Sequence, residues 1–292
     1  MHENTKNVLI FSDPGLDDAL AIVWLLNQSK INIIGTIPVA GNHSVYQVTR
    51  NMIKILKNLG RMDIPVYLTD TIPQKYHQLA NVHGHDAMGD FIEGKSIGNK
   101  SLKKFDEIFS DINNKEYEII SLAPCTILAR FLKEIKKKPL KITIMGGLRN
   151  VKANYKGGEF NIGIDENSAI EVFSYSTCPI NMIPLDVTRQ YFLSNTISDF
   201  NEDEKEKVRF FRNLCKRYLD LALIRGKNAF PHDLTAALTL LHSDIFSWDI
   251  GNISLNSFKI DLTKGIKDKV ATKINVSSKE FESIIMEGFY AL

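Results

Sequence analysis

Three carboxylates fall within six residues in Asp13-Pro14-Gly15-Leu16-Asp17-Asp18, just after the apolar run Val8-Leu9-Ile10-Phe11. Adjacent negative charges at the end of a buried strand repel strongly unless something compensates them. A cation is the economical remedy. Carboxylate oxygens suit a hard ion such as Ca²⁺ or Mg²⁺, which would draw further oxygen ligands from elsewhere in the chain. The spacing is equally satisfied by a solvated turn in which Asp17 or Asp18 caps the next helix. Taken alone, these six residues fit both a metal site and a plain helix start.

The elements around the cluster place it where function is to be sought. Val8 to Phe11 reads as a buried parallel strand and Ala19 to Leu26 as an apolar helix, with a short loop between them. The same pattern recurs: Ile31 to Val39 precedes a helix around Val45 to Leu56, Tyr117 to Leu122 precedes Ile127 to Ile135, and Ile142 to Met145 follows. Such alternation predicts an α/β fold with a mostly parallel central sheet and helices on both faces. Ligands of these sheets bind at the carboxyl ends of the strands, where the acidic cluster stands. The charged, then amphipathic stretch Phe200 to Gly226 predicts helices that cover a pocket. Lys136-Lys137-Lys138 suits a helix C-terminus, and Ser277-Ser278-Lys279-Glu280 has capping-box spacing.

Composition narrows the partners. With 36 Lys and Arg against 34 Asp and Glu, the net charge of +2 gives no reason to expect nucleic acid, which leaves small-molecule chemistry. Cys125, Cys178 and Cys215 are odd in number and widely spaced, which argues against a disulfide framework or zinc knuckle and for a reducing, cytoplasmic setting. The first apolar run is too short for a signal-peptide core and no segment approaches a membrane-spanning length, so no membrane association is expected. No repeat or linker divides the chain, and one domain over 1–292 is expected.

Asp-Pro-Gly-x-Asp-Asp-Ala after the first strand resembles the signature of the inosine-uridine preferring nucleoside hydrolases, and further motifs follow in order. Val39-Ala40-Gly41-Asn42 resembles that family's Asn-bearing loop. Val82-His83-Gly84 through Met88-Gly89 resembles its His-Gly loop, and Met145-Gly146-Gly147 its Met-Gly-Gly turn. Glu159-Phe160-Asn161 followed by Asp165, Leu185-Asp186-Val187-Thr188, and Pro231-His232-Asp233 match as well. The likeness spans almost the whole chain. It implies the Rossmann-like nucleoside hydrolase fold, calcium-dependent hydrolysis of the N-glycosidic bond of purine or pyrimidine ribonucleosides, and a homodimer or homotetramer.

The resemblance also implies roles. Asp13, Asp18, Asp233 and the carbonyl of Leu122 correspond to the ligands of Ca²⁺, with Asp13 also the general base toward a metal-activated water. Asp17, Asn42, Glu159 and Asn161 correspond to residues that hold the ribose and surround the positive charge developing on it, with Met145 a softer contact and Asp233 serving ion and sugar alike. His232 corresponds to the acid that protonates the departing base, and His83 is a second histidine for the pocket. Tyr218 and Arg225 fall where the family keeps base-contacting residues. Each residue also has a structural explanation: Asn42 as a turn residue, Asn161 as a partner for backbone groups, Met145 as core packing, Tyr218 and Arg225 as surface residues of an amphipathic helix.

Phe11 stands where family members usually carry an outer aspartate that supports the ion's ligands. That departure bears on turnover more than on ion binding. A phosphohydrolase with an aspartyl nucleophile would need a second aspartate two residues after Asp13, and position 15 is glycine. A nucleoside-binding protein that kept the ion site but lost turnover is the other rival.

Overall fold

The computed structural model describes residues 5–76, 84–89, 102–156, 158–199, 205–256 and 258–290. Strands β1 (Lys6–Ser12), β2 (Ile31–Pro38), β3 (Val66–Leu68), β4 (Leu102–Lys104), β5 (Glu118–Ser121), β6 (Ile142–Met145), β7 (Ile180–Ile183), β8 (Phe246–Asn256) and β9 (Lys259–Ile274) form one sheet. Its order is β4-β3-β2-β1-β5-β6-β7-β9-β8. All neighbours pair in parallel except β8, which runs antiparallel to β9. The helices are α1 (Leu16–Leu26), α2 (Val45–Asn58), α3 (Glu107–Asp111), α4 (Thr126–Glu134), α5 (Phe160–Gly163), α6 (Glu166–Tyr175), α7 (Leu185–Thr188), α8 (Glu206–Ile224), α9 (His232–Leu238) and α10 (Ser278–Tyr290).

The expected mostly parallel α/β architecture is what forms. Strand β1 is apolar on both faces because both are covered: Val8 and Ile10 join a core with Trp24 of α1, Leu56 of α2, Phe211 of α8 and Phe281 of α10. Leu9 and Phe11 point into a second core with Ile108 of α3, Phe131 of α4 and Val172 of α6. Burying each such side chain contributes about 1.5–3 kcal/mol. The Trp24 indole N–H also donates to the Ile285 carbonyl at 3.1 Å, fastening α1 to α10.

Helix α1 begins at Leu16, three residues before the apolar stretch that announces it in the sequence. The reason is Asp18, whose Oδ2 accepts the Gly15 N–H at 3.0 Å and satisfies a donor at the helix start. Lys138 lies just beyond α4 and its Nζ donates to the Leu132 carbonyl at 2.7 Å, the C-terminal role expected of this lysine run. The Ser277 hydroxyl caps α10 through the Glu280 N–H at 3.2 Å.

The β8–β9 ribbon at the sheet edge has no counterpart in the sequence reading. Its burial does not alternate, and its inner anchor is a buried acid: Asp268 accepts the Ile180 and Ile253 N–H groups, each at 3.0 Å.

Candidate active site

The strand order reverses direction between β1 and β5, and in open sheets of this kind such a point is where ligands bind. A cavity of about 730 Å³ opens at this point. Asp13 enters it from the end of β1, Asn42 from the loop after β2, Leu122 from just after β5 and Met145 from the end of β6. Glu159 and Asn161 enter from the start of α5, and His232 and Asp233 from the first turn of α9. Asp17, Tyr218 and Arg225 also line the cavity. Asp18 is wholly buried at its floor. The expected residues thus converge, except that His83 lies outside the described residues.

The floor is built by hydrogen bonds to the acids. Asp18 Oδ1 accepts the Ser12 hydroxyl at 2.6 Å and the Asp13 N–H at 3.2 Å. The Asn42 side-chain amide donates to Asp18 Oδ2 and to the Asp13 carbonyl, both at 3.1 Å, while its backbone N–H donates to Asp13 Oδ2 at 2.6 Å. Asn42 therefore holds the acids in register besides lining the cavity. Gly41 is required beside it, since a Cβ there would stand 2.1 Å from Asp13 Oδ2. Asn51 steadies the loop that carries Asp13 by donating to the Pro14 carbonyl at 2.9 Å.

Phe11 takes no part in this network. Its ring is fully buried on the opposite side of β1, packed edge-on against Phe131 at 5.5 Å. Outer support for Asp18 comes instead from the Ser12 hydroxyl, two backbone N–H groups and the Asn42 amide.

Asp17, Asp18 and Asp233 each bring a carboxylate oxygen within 4.8 Å of the others, all buried. Burial, then the charge of Asp18, pushes the Asp13 carboxyl well above its usual range. Burial lifts Asp17 to about 6, and burial with the charges of Asp17, Asp18 and Asp13 raises Asp233. Four acids in this space cannot all ionise at neutral pH by themselves. Ligands 2.3–2.6 Å from a calcium ion span up to roughly 5 Å, so the oxygen-only trio fits a hard divalent cation in both chemistry and spread. Asp17 belongs to the trio, although its expected partner was the sugar, whereas Asp13 stands beside the trio with one oxygen on Asn42.

The walls carry the remaining groups. Glu159 accepts the Gly147 N–H at 2.9 Å, the Asn161 N–H at 3.0 Å and the Ile162 N–H at 3.2 Å, and burial lifts its carboxyl to about 7. The Asn161 amide donates to the Leu122 carbonyl at 2.9 Å and the Met145 carbonyl at 3.1 Å. His232 Nδ1 lies 2.7 Å from the Thr188 hydroxyl. The Tyr218 hydroxyl donates to the Phe230 carbonyl at 2.8 Å, and burial, with the charges of Asp17 and Asp233, keeps this phenol protonated. Phe160, Phe230, Tyr155 and Arg189 also line the cavity without having been singled out. Phe160 sits inside the Glu-Phe-Asn motif and Phe230 two residues before His232, so nearness to a motif was the available signal.

A sequence profile of the inosine-uridine preferring nucleoside hydrolases matches residues 8–282. An uncharacterized protein of Schizosaccharomyces pombe is 33% identical over 276 residues, covering 89% of this chain and 87% of that protein. A probable uridine nucleosidase 2 of Arabidopsis thaliana is 30% identical over 266 residues, covering 84% of this chain and 80% of its own. A solved purine-preferring ribonucleoside hydrolase from Gardnerella vaginalis shares the fold, with a TM-score of 0.82 at 23% identity over 98% of this chain and 100% of that one. The chain belongs to the inosine-uridine preferring nucleoside hydrolase family and is a hydrolase acting on N-glycosyl bonds.

Proposed function

We propose that the protein hydrolyses ribonucleosides to ribose and free base in a calcium-dependent reaction, with uridine the first substrate to test in view of the Arabidopsis relative's name. The observation that carries this reading is the buried acid cluster at the floor of a cavity whose wall holds His232. Asp18 and Asp233 of the buried trio, with Asp13 beside it and the Leu122 carbonyl, would hold the ion, which supplies Lewis acidity that orients the ribose and lowers the pKa of water.

Asp13 takes the proton of the water that attacks the anomeric carbon. As the new C–O bond forms, the C–N bond breaks and its electron pair leaves with the base, which His232 protonates. Asp17, Asn42 and the Asn161 amide oxygen meet the ribose hydroxyls. Glu159, held in place by backbone N–H groups, faces the sugar as an acceptor. Met145 packs against the ring. Tyr218 and Arg225 face the base, beside the unassigned Phe230.

The same reading takes the chain as one domain over 1–292, in keeping with a sheet that joins β1 and β9. Its three cysteines are free and buried, which suits a cytoplasmic setting. A homodimer or homotetramer belongs to the same reading. Incubation with uridine or inosine, followed by quantification of base and reducing sugar, tests the function. Equal amounts of ribose and base support it, while tight nucleoside binding without either product would favour a binding protein.

A further inference from the structure

The Leu185-Asp186-Val187-Thr188 motif has no part in the chemistry above, yet its short helix is fixed to the wall of the site. The Leu185 N–H donates to the Gly147 carbonyl at 2.9 Å, within the Met-Gly-Gly turn. The Asp186 carboxylate accepts the Arg149 and Asn150 N–H groups, each at 2.8 Å, which pins α7 to the loop after β6. Thr188 closes this helix, only 1% exposed, with its hydroxyl 2.7 Å from His232 Nδ1. An imidazole turns easily about its last torsion unless a partner fixes it. With Nδ1 held by a hydroxyl on an anchored turn, the ring plane is set and Nε2 is the nitrogen on the edge away from Thr188. Phe230, its ring centroid 5.9 Å from that of His232, limits movement on one face.

We propose that Thr188 is a positioning residue, which holds His232 Nδ1 so that Nε2 is presented to the departing base. This rests on the reading of His232 as the acid. In the step it serves, the proton passes from Nε2 to the base nitrogen while the Nδ1 proton stays on the hydrogen bond to Thr188 Oγ1. The ring ends neutral and the base leaves with its new N–H. The arrangement resembles the way a fixed partner on one imidazole nitrogen sets the job of the other.

The test compares Thr188→Val, which keeps the shape and loses the hydroxyl, with Thr188→Ser, which keeps the hydroxyl, in wild-type and His232→Gln backgrounds. Two substrates are used: uridine, and 4-nitrophenyl riboside, whose leaving group departs without protonation. Complete loss of a general acid costs about 10²–10⁴-fold, so a misaligned acid should lower kcat on uridine at least about tenfold. Thr188→Val should show that loss with KM unchanged within about twofold and an unchanged rate on the nitrophenyl substrate, which also reports an intact fold. Thr188→Ser should recover to within about threefold of wild type, and Thr188→Val should add nothing once His232 is glutamine. An equal fall on both substrates, wild-type uridine turnover in Thr188→Val, or a serine variant as slow as the valine one would overturn the role of Thr188. Wild-type uridine turnover in His232→Gln would overturn the acid assignment itself, and this role with it.

Discussion

Stripping the divalent cation should make the protein less stable as pH rises, and calcium should cancel that loss. Asp17 shows the sign. Its folded pKa of about 6 lies above the usual 3.8, so between these values the folded state binds more protons than the unfolded one. Stability tied to the protonated carboxyl is therefore complete below about pH 4 and is lost as pH rises through about 6. From pH 4.5 to 7.5 the loss from Asp17 is about 1.5 pKa units, or about 2 kcal/mol. Asp13 and Asp233 shift in the same direction, so this figure is a lower bound. A 292-residue chain has an unfolding entropy of about 0.6 kcal/mol per kelvin, which turns 2 kcal/mol into about 3 °C of Tm. The assay is thermal unfolding with chelator or with excess calcium at each pH. Their difference removes groups outside the cluster, such as His242, whose lowered pKa gives the opposite slope with or without the ion. The Tm gain from calcium should grow by at least about 3 °C between pH 4.5 and 7.5. A gain that is flat with pH, or larger in acid, would refute the reasoning.

Gly41→Ala forces a Cβ onto Asp13 Oδ2 and the Pro124 ring, so kcat/KM should fall at least about tenfold, with roughly 1–3 kcal/mol lost in urea unfolding. Wild-type kinetics would show that the Asn42 loop does not hold Asp13. Arg225→Ala should change the ratio of kcat/KM for uridine and inosine by at least about threefold, while Tyr218→Phe, which releases the Phe230 carbonyl, should slow both substrates alike. Base recognition lies elsewhere if neither ratio moves. Phe11→Asp, which introduces the carboxylate usual in the family, should not raise turnover, and should destabilise the protein by more than about 3 kcal/mol because the position is sealed against Phe131. Faster ribose release by that variant would contradict the support assigned to Ser12.

The chemistry was legible where a residue type is itself the chemistry. Asp13, Asp17 and Asp18 announce a charge problem by spacing alone, and buried strand runs such as Val8 to Phe11 place it at a strand end. The start of α1 was misjudged because the acids that open it are polar, so apolar periodicity begins only after them. Strands β3 and β4 span three residues each, too few for any pattern. In β9, Lys264, Lys267, Asp268, Lys269 and Lys273 break up any apolar pattern that could mark a strand, yet Asp268 is buried as an acceptor for two backbone N–H groups. Only the folded ribbon reveals those partners. Thr188 stood in a recognisable motif, but its meaning depends on a contact across 44 residues that no local signal contains.

Ribose release from uridine, followed as calcium is titrated into chelator-stripped protein, tests the central claim most directly. Turnover should be absent without the ion, should saturate as one ion binds per chain, and should be lost together with calcium binding in Asp233→Asn, since that residue completes the buried trio. Undiminished turnover in the stripped protein would contradict the account.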